Sequence, residues 1–286
     1  MEFHRVTPAD REWIRTALKG TDRKNCEESF ANLYTWGNAF GMEVAQVEGC
    51  LVCRLKNAYS LPIGINRDAA IGKAKELYEN GRFVIFGLES QDFPYLERHF
   101  SHIRAEYDRR WSDYIYLRDN LENLAGKKLA AKRNHINAFE REYSDWHTEP
   151  ITKDNMEAVR QFHNRWSQMR EIGENLEEEL DAAELMLENY FELGLEGLVL
   201  YAEQDIVAYS FGEPLTDETY CVHVEKALSH VRGAYPLINR EFVRTYCKEY
   251  EFINREDDSG EKGLRKAKMS YVPYMIVHKY KAEMEK

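Results

Sequence analysis

The sequence predicts a mixed α/β (α+β) protein with two mixed β-sheets flanked by helices, in tandem, one per half of the chain. Three observations lead there. Both halves carry the same order of elements: helix, helix, hairpin strands, helix, strand. Runs of strand period alternate with runs of helical period, as they do where helices cover a sheet. Each half also opens its strands with a tight hairpin, which makes part of each sheet antiparallel.

In the first half, Pro8–Leu18 reads as a helix because Thr7-Pro8-Ala9-Asp10 is a start signal ahead of Trp13, Ile14 and Leu18. Glu27–Phe40 is expected to be a second helix. Its aromatics Phe30, Tyr34, Trp36 and Phe40 recur at helical spacing and read as core, with Asn32 and Asn38 as polar members. Strands are expected near Val44–Val47, Cys50–Leu55 and Ala58–Pro62, the first two turning at Glu48-Gly49. A helix from Asp68 to Glu79, stopped by Asn80-Gly81, precedes strands at Phe83–Phe86 and Tyr114–Leu117. Asp119–Glu142 reads as helical with a break at Gly126.

In the second half, Thr152–Met169 places Met156, Val159, Phe162, His163 and Trp166 at helical spacing, and Leu176–Leu193 is closed by Gly194. Strands at Leu198–Ala202 and Ile206–Phe211 are joined by Glu203-Gln204-Asp205. A polar-faced strand Tyr220–Lys226, a helix Tyr235–Glu249 and a strand Phe252–Asn254 complete the pattern. The expected division is residues 1–118 and 119–286, with the site in the second part.

The chain has 286 residues and a net charge of −11, which argues against general coating of nucleic acid. No apolar run approaches the ~20 residues of a membrane span. Met1-Glu2-Phe3-His4-Arg5 carries no export pattern, so a soluble cytoplasmic protein is expected. The five cysteines, Cys26, Cys50, Cys53, Cys221 and Cys247, are expected to be free thiols. Cys50-Leu-Val-Cys53 lies in an alternating run without a second such pair, and the histidines show no ligand spacing, so no metal is expected. Glu171–Glu184, with seven acids, reads as a solvated helix face.

The chemistry concentrates in the last third. Strict alternation on Tyr220–Lys226 would put Tyr220, Val222 and Val224 on one face, with Cys221, His223 and Glu225 on the other. Glu225 is the expected general base and Asp258 the second choice, since a partly buried carboxylate can titrate near neutrality. Arg232-Gly233 opens a helix whose first N–H groups suit an anion. Lys132 and Arg133, in a basic strip on an acidic chain, would join them on donor phosphate. His223, Lys226, Asn254, Glu256, Arg265 and Lys268 are expected to bind substrate, the last four because charges at the end of a buried strand can hold a zwitterion.

Three blocks carry a family resemblance: Gly126-Lys-Lys-Leu-Ala-Ala-Lys-Arg-Asn134, Val222-His-Val-Glu-Lys-Ala227, and Phe252-Ile-Asn-Arg-Glu-Asp-Asp258 with Gly263-Leu-Arg-Lys-Ala-Lys-Met-Ser-Tyr271. They resemble a bacterial family related to the synthase domain of phosphatidylglycerol lysyltransferase. The resemblance implies two GNAT-like acyltransferase folds in tandem and kinship to transferases that use aminoacyl-tRNA. The usual acyl-CoA turn is reduced here to Arg232-Gly233-Ala234. The expected activity is transfer of an acyl or aminoacyl group to an amine or hydroxyl, with acyl-CoA or aminoacyl-tRNA as donor and no fixed cofactor. The alternative is a non-catalytic protein of the same fold that senses a small charged metabolite.

Overall fold

The computed structural model describes residues 1–74, 77, 83–169 and 176–285. Among the described residues, thirteen strands build two mixed sheets. They are β1 Glu43–Val47, β2 Cys50–Leu55, β3 Ala58–Ser60, β4 Phe83–Leu88, β5 Ser101–Tyr107, β6 Asp113–Leu117 and β7 His147–Pro150. The rest are β8 Glu196–Ala202, β9 Asp205–Pro214, β10 Thr219–Ala227, β11 Phe252–Asn254, β12 Met275–Val277 and β13 Tyr280–Glu285. The six-stranded sheet runs β1-β2-β3-β4-β13-β5, and the seven-stranded sheet runs β12-β6-β11-β10-β9-β8-β7.

The architectural repeat expected from the sequence is present. In each sheet an antiparallel run ends in one parallel pair, β3 with β4 and β10 with β11. The sheets then exchange strands across residue 118. β6, from the first part, pairs with β11 and β12, while β13, from the end of the chain, lies between β4 and β5. A shared core reinforces this: Ile14, Leu18 and Phe30 belong to the same buried cluster as Phe162, Tyr209 and Phe211.

Local chemistry explains most element ends. Thr7 donates from its backbone N–H and its hydroxyl to Asp10, both at 2.8 Å, and Trp13 Nε1 donates to the same carboxylate at 2.8 Å. That cap starts the helix proper at Arg11–Leu18, after one turn at Pro8–Asp10. The second helix begins at Phe30, where Ser29 accepts from the Asn32 N–H, and widens into a π turn over Leu33–Gly37. The helix at Arg67–Ala74 matches the start of the one expected from Asp68; its expected end at Glu79 to Gly81 lies outside the described residues.

The 119–142 stretch divides into Arg118–Asn123 and Ala130–Glu142, with Leu124 and Gly126 in left-handed conformation between them. The helices Met156–Gln168, Leu176–Glu188, Tyr190–Leu193 and Ala234–Tyr246 agree with expectation to within a turn or so. Residues 170–175 of the acidic run lie outside the described residues.

Candidate functional site

The site is set by two features of β10. Its parallel pairing with β11 runs only from Thr219↔Phe252 to Cys221↔Asn254. β11 ends there and β10 continues to Ala227, so the sheet opens beyond Cys221. Second, the register with β9 shifts between Val222 and Val224, a bulge at His223. The bulge breaks strict alternation. Cys221 and Val224 belong to the core on one face, Tyr220, Val222 and Ala227 to the core on the other. Val224 is therefore not on the Tyr220 face. Glu225 turns toward the Ala234–Tyr246 helix, where Asn239 Nδ2 donates to its Oε2 at 2.8 Å. His223 and Glu225, expected side by side, serve opposite faces.

On the Glu225 face, Arg255 Nη2 donates to Glu225 Oε1 at 2.8 Å, and both side chains are nearly buried. The guanidinium lies 4.5 Å from the centre of the Tyr271 ring, and Lys132 Nζ lies 3.9 Å from that same centre. Burial pulls the Lys132 ammonium down to about 8; Arg255 adds to this and Glu225 opposes it. Among the described residues, Asn239 Oδ1 in this cluster is buried without a hydrogen bond, and Arg255 Nη1 and the Tyr271 hydroxyl, which lie beside each other, are buried with none to any other group.

On the other face, His223 bridges two carboxylates, with Nδ1 2.8 Å from Glu256 Oε1 and Nε2 3.3 Å from Glu213 Oε1. Glu213 is buried in β9 and held by Arg15 Nη2 at 3.0 Å and by the Ala31 N–H at 2.6 Å. Burial alone would lower the His223 imidazole, but Cys221, Glu213 and Glu256 raise it well above its ordinary value. Burial pushes the Cys221 thiol up to about 12, against the pull of His223.

Asn254 is buried and donates to Asp113 at 2.9 Å and to the Lys24 carbonyl at 2.6 Å. Asp258 takes two hydrogen bonds from Arg265, both at 2.9 Å, and one from the Tyr114 hydroxyl at 2.5 Å. Burial would raise this carboxyl, yet those donors hold it at about 2, which makes it a poor base. Lys268 reaches back to the carbonyls of Arg255 (2.6 Å) and Asp257, so it pins the segment. Lys226 lies over the Trp166 ring at 4.3 Å, and Trp166 belongs to the same core as Cys221.

The four residues expected on phosphate do not act as one group. Arg133 donates to the carbonyls of Leu124 and Gly126 and ties off the loop before its helix. Arg232 is exposed. Gly233 has φ +93°, and a Cβ there would stand 2.3 Å from the His135 carbonyl, so its role is close packing of two helices. Lys132 alone joins the Glu225 cluster.

With this geometry in view, comparison with known proteins is informative. Residues 18–283 match the family described as phosphatidylglycerol lysyltransferase, C-terminal. The chain belongs to that family. A conserved protein of unknown function from Bacteroides thetaiotaomicron is 37% identical over the full length of both chains, with a TM-score of 0.88. The C-terminal domain of a proposed lysylphosphatidylglycerol synthetase from Agrobacterium fabrum is 15% identical, with a TM-score of 0.65 over 97% of this chain and 92% of that one. An uncharacterised protein of Mycoplasmoides gallisepticum is 22% identical over 184 residues; the match takes in 62% of this chain and 59% of that relative.

Membership in the lysyltransferase family relates the chain to aminoacyl transferases, and no described helix is long and apolar enough to cross a membrane. Several members of the site carried only faint sequence signals. Glu213 is a lone acid at the end of an apolar strand, Arg15 belongs to the first helix, and Asn32 stood out only as a polar residue among aromatics. Tyr271 and Arg255 lay inside the blocks that carried the resemblance, but nothing in their spacing marked them as partners. A cavity of about 300 Å³ lies elsewhere, beside β3 and β4, lined by Arg23, Arg67 and Asp92 among others.

Proposed function

We propose that the protein transfers an aminoacyl or other acyl group to an amine or hydroxyl acceptor, at the opening between β10 and β11 on the Glu225 face. One observation carries this reading: Asn239 Oδ1 and the adjacent pair of Arg255 Nη1 and the Tyr271 hydroxyl are buried around the Glu225 carboxylate with no hydrogen bond to any other group among the described residues. Buried polar atoms are nearly always paired, so each marks a position for a ligand atom. Arg255 Nη1 and the Tyr271 hydroxyl are donors suited to a carbonyl oxygen that becomes an oxyanion. Asn239 Oδ1 and Glu225 are acceptors suited to the ammonium of an aminoacyl group.

The reaction then follows. The acceptor's nitrogen or oxygen attacks the held carbonyl and its proton passes to the Lys132 amine, whose value of about 8 leaves a neutral fraction near physiological pH. The adduct collapses and the donor's ester or thioester oxygen or sulfur leaves, taking a proton back. In this reading Glu225, held at both oxygens, positions substrate, and Lys132 takes the base role expected of Glu225 or Asp258. Family membership supports the transferase class. The packing of Gly233 against His135 supports an aminoacyl donor over acyl-CoA, because it fills one side of the turn where coenzyme A phosphates would sit.

The test is to incubate the purified protein with aminoacyl-tRNAs and acyl-CoAs, each with amine, hydroxyl and lipid-headgroup acceptors, and to detect product by mass spectrometry. Arg255→Lys keeps a charge but loses the guanidinium fork, and turnover should fall about 10²–10³-fold, the usual cost of one oxyanion donor. Unchanged turnover in both Arg255→Lys and Glu225→Gln would overturn the assignment. Ligand binding with no product under any pairing would favour the sensing alternative.

A further inference from the structure

We infer that Cys221, His223 and Glu256 form a binding site for one divalent cation of the zinc class, with three protein ligands and a fourth position open. The three donor atoms already converge. Cys221 Sγ is 3.7 Å from His223 Nδ1, Nδ1 is 2.8 Å from Glu256 Oε1, and Sγ is 3.9 Å from that oxygen. Metal bonds of about 2.0–2.3 Å in a tetrahedron place ligand atoms roughly 3.2–3.6 Å apart, so shifts of about half an ångström admit the ion.

The surroundings have the organisation of a metal centre. His223 presents Nε2 to Glu213, itself held by Arg15 and the Ala31 N–H. A carboxylate that takes the far N–H of an imidazole leaves the near nitrogen's lone pair for a metal. Asn32 Nδ2 donates to Glu256 Oε1 at 2.9 Å and to the Cys26 carbonyl at 2.9 Å, which fixes the orientation of the amide. Its other atom, Oδ1, is buried and unpartnered. A water in the fourth position would supply the missing donor.

The backbone also departs from regularity on both sides of the cluster. The β10 bulge falls at His223, and Glu256, at the turn after β11, has φ +56°. The neighbouring group of Cys26, Asp113 and Lys279 is different in kind. There the Lys279 ammonium, 3.0 Å from Asp113 and 3.6 Å from Cys26 Sγ, already supplies the positive charge. No lysine or arginine stands within salt-bridge distance of Glu256 among the described pairs. Sequence spacing could not announce the site, because its ligands come from β10 and from the turn after β11, 35 residues on.

The experiment reads metal directly and does not depend on the transfer reaction. Tag-free protein is dialysed, its zinc content measured by mass spectrometry, and Zn²⁺ affinity found by competition with a chromophoric chelator. One ion per chain is expected, and Glu213→Gln should weaken binding about 10–100-fold, as loss of an outer-shell partner does. Cobalt substitution should give a thiolate-to-metal charge-transfer band that Cys221→Ser lacks, with both proteins folded by circular dichroism. His223→Ala should abolish stoichiometric binding; if that variant does not fold, the cobalt band in the wild type and its loss in Cys221→Ser decide. Absence of zinc binding at micromolar free ion, or binding unaltered by Cys221→Ser, would overturn the inference and leave His223 as an imidazolium between two glutamates.

Discussion

The two sheets end their antiparallel runs in equivalent parallel pairs, yet the polar groups beyond the two pairs are arranged differently. In the six-stranded sheet, all three residues of β3 are matched by β4, and the charged groups beyond are joined in one ion-pair network, with Arg67 Nε left without a partner among the described residues. Arg23 pairs with Glu28 (2.8 Å), Glu89 (3.2 Å) and Asp92 (2.7 Å), while Arg67 pairs with Asp92 at 2.7 Å. In the seven-stranded sheet, β10 outruns β11 by six residues and a bulge splits its polar side chains between two faces. The difference teaches that the shared topology supplies an opening but not a site. How far one strand outruns its neighbour, and where it is irregular, decides which side chains line the gap.

The comparison can be broken most sharply at Arg23. Arg23→Met leaves buried Glu28 and Glu89 without their cation and Asp92 with Arg67 alone, and should destabilise by about 3–5 kcal/mol in urea unfolding. Arg255→Lys in the other opening should retain most stability while losing turnover. Equal losses of stability in the two variants would show that both openings are structural.

Gly233→Ala comes next. It meets the His135 carbonyl and a positive φ together and should cost about 1–3 kcal/mol by thermal unfolding, without altering any donor-phosphate dependence of turnover. A loss of donor affinity with unchanged stability would restore the phosphate role expected for this turn.

Asp258→Asn should cost about 2 kcal/mol at pH 7, since charge-assisted hydrogen bonds to Arg265 and Arg109 are weakened. The folded carboxyl lies at about 2, below its ordinary 3.8, so the stabilisation is complete above pH 4 and is lost as pH falls through 2. The gap between variant and wild type should close over that window. A gap that persisted undiminished at pH 2 would assign the effect to packing.

The smallest effect is expected at Lys132. Its folded value of about 8 lies below the ordinary 10.5, so the unfolded chain binds the proton more tightly between those values. Lys132→Met should therefore raise the melting temperature modestly at pH 7, and the gain should fade between pH 8 and 10.5. A gain independent of pH would mean that burial of the charge is not its source.

Much of the fold was legible in the chain. The Thr7–Asp10 cap, the Glu48-Gly49 turn and the helical faces of Thr152–Met169 are local, and local chemistry is what a sequence displays. β13 was overlooked although Tyr280-Lys-Ala-Glu-Met-Glu285 alternates apolar and polar residues as a strand does; what the sequence could not display is its place between β4 and β5, strands from the far end of the chain. At the site, the 254–258 segment was visible as a dense charged run at a strand end. Its side chains in fact diverge: Arg255 goes to Glu225, Glu256 to His223, and Asp258 to Arg265.

By itself the sequence determined the tandem α/β architecture and the stretch of chain in which the polar groups gather, since both follow from periodicity, turns and strand ends. Tertiary structure alone decided the exchange of β6 and β13, the bulge that parts His223 from Glu225, and the partners Glu213, Arg15, Asn32 and Tyr271. These depend on contacts between residues far apart in the chain. Which groups are buried together sets their protonation and leaves certain donors unpaired.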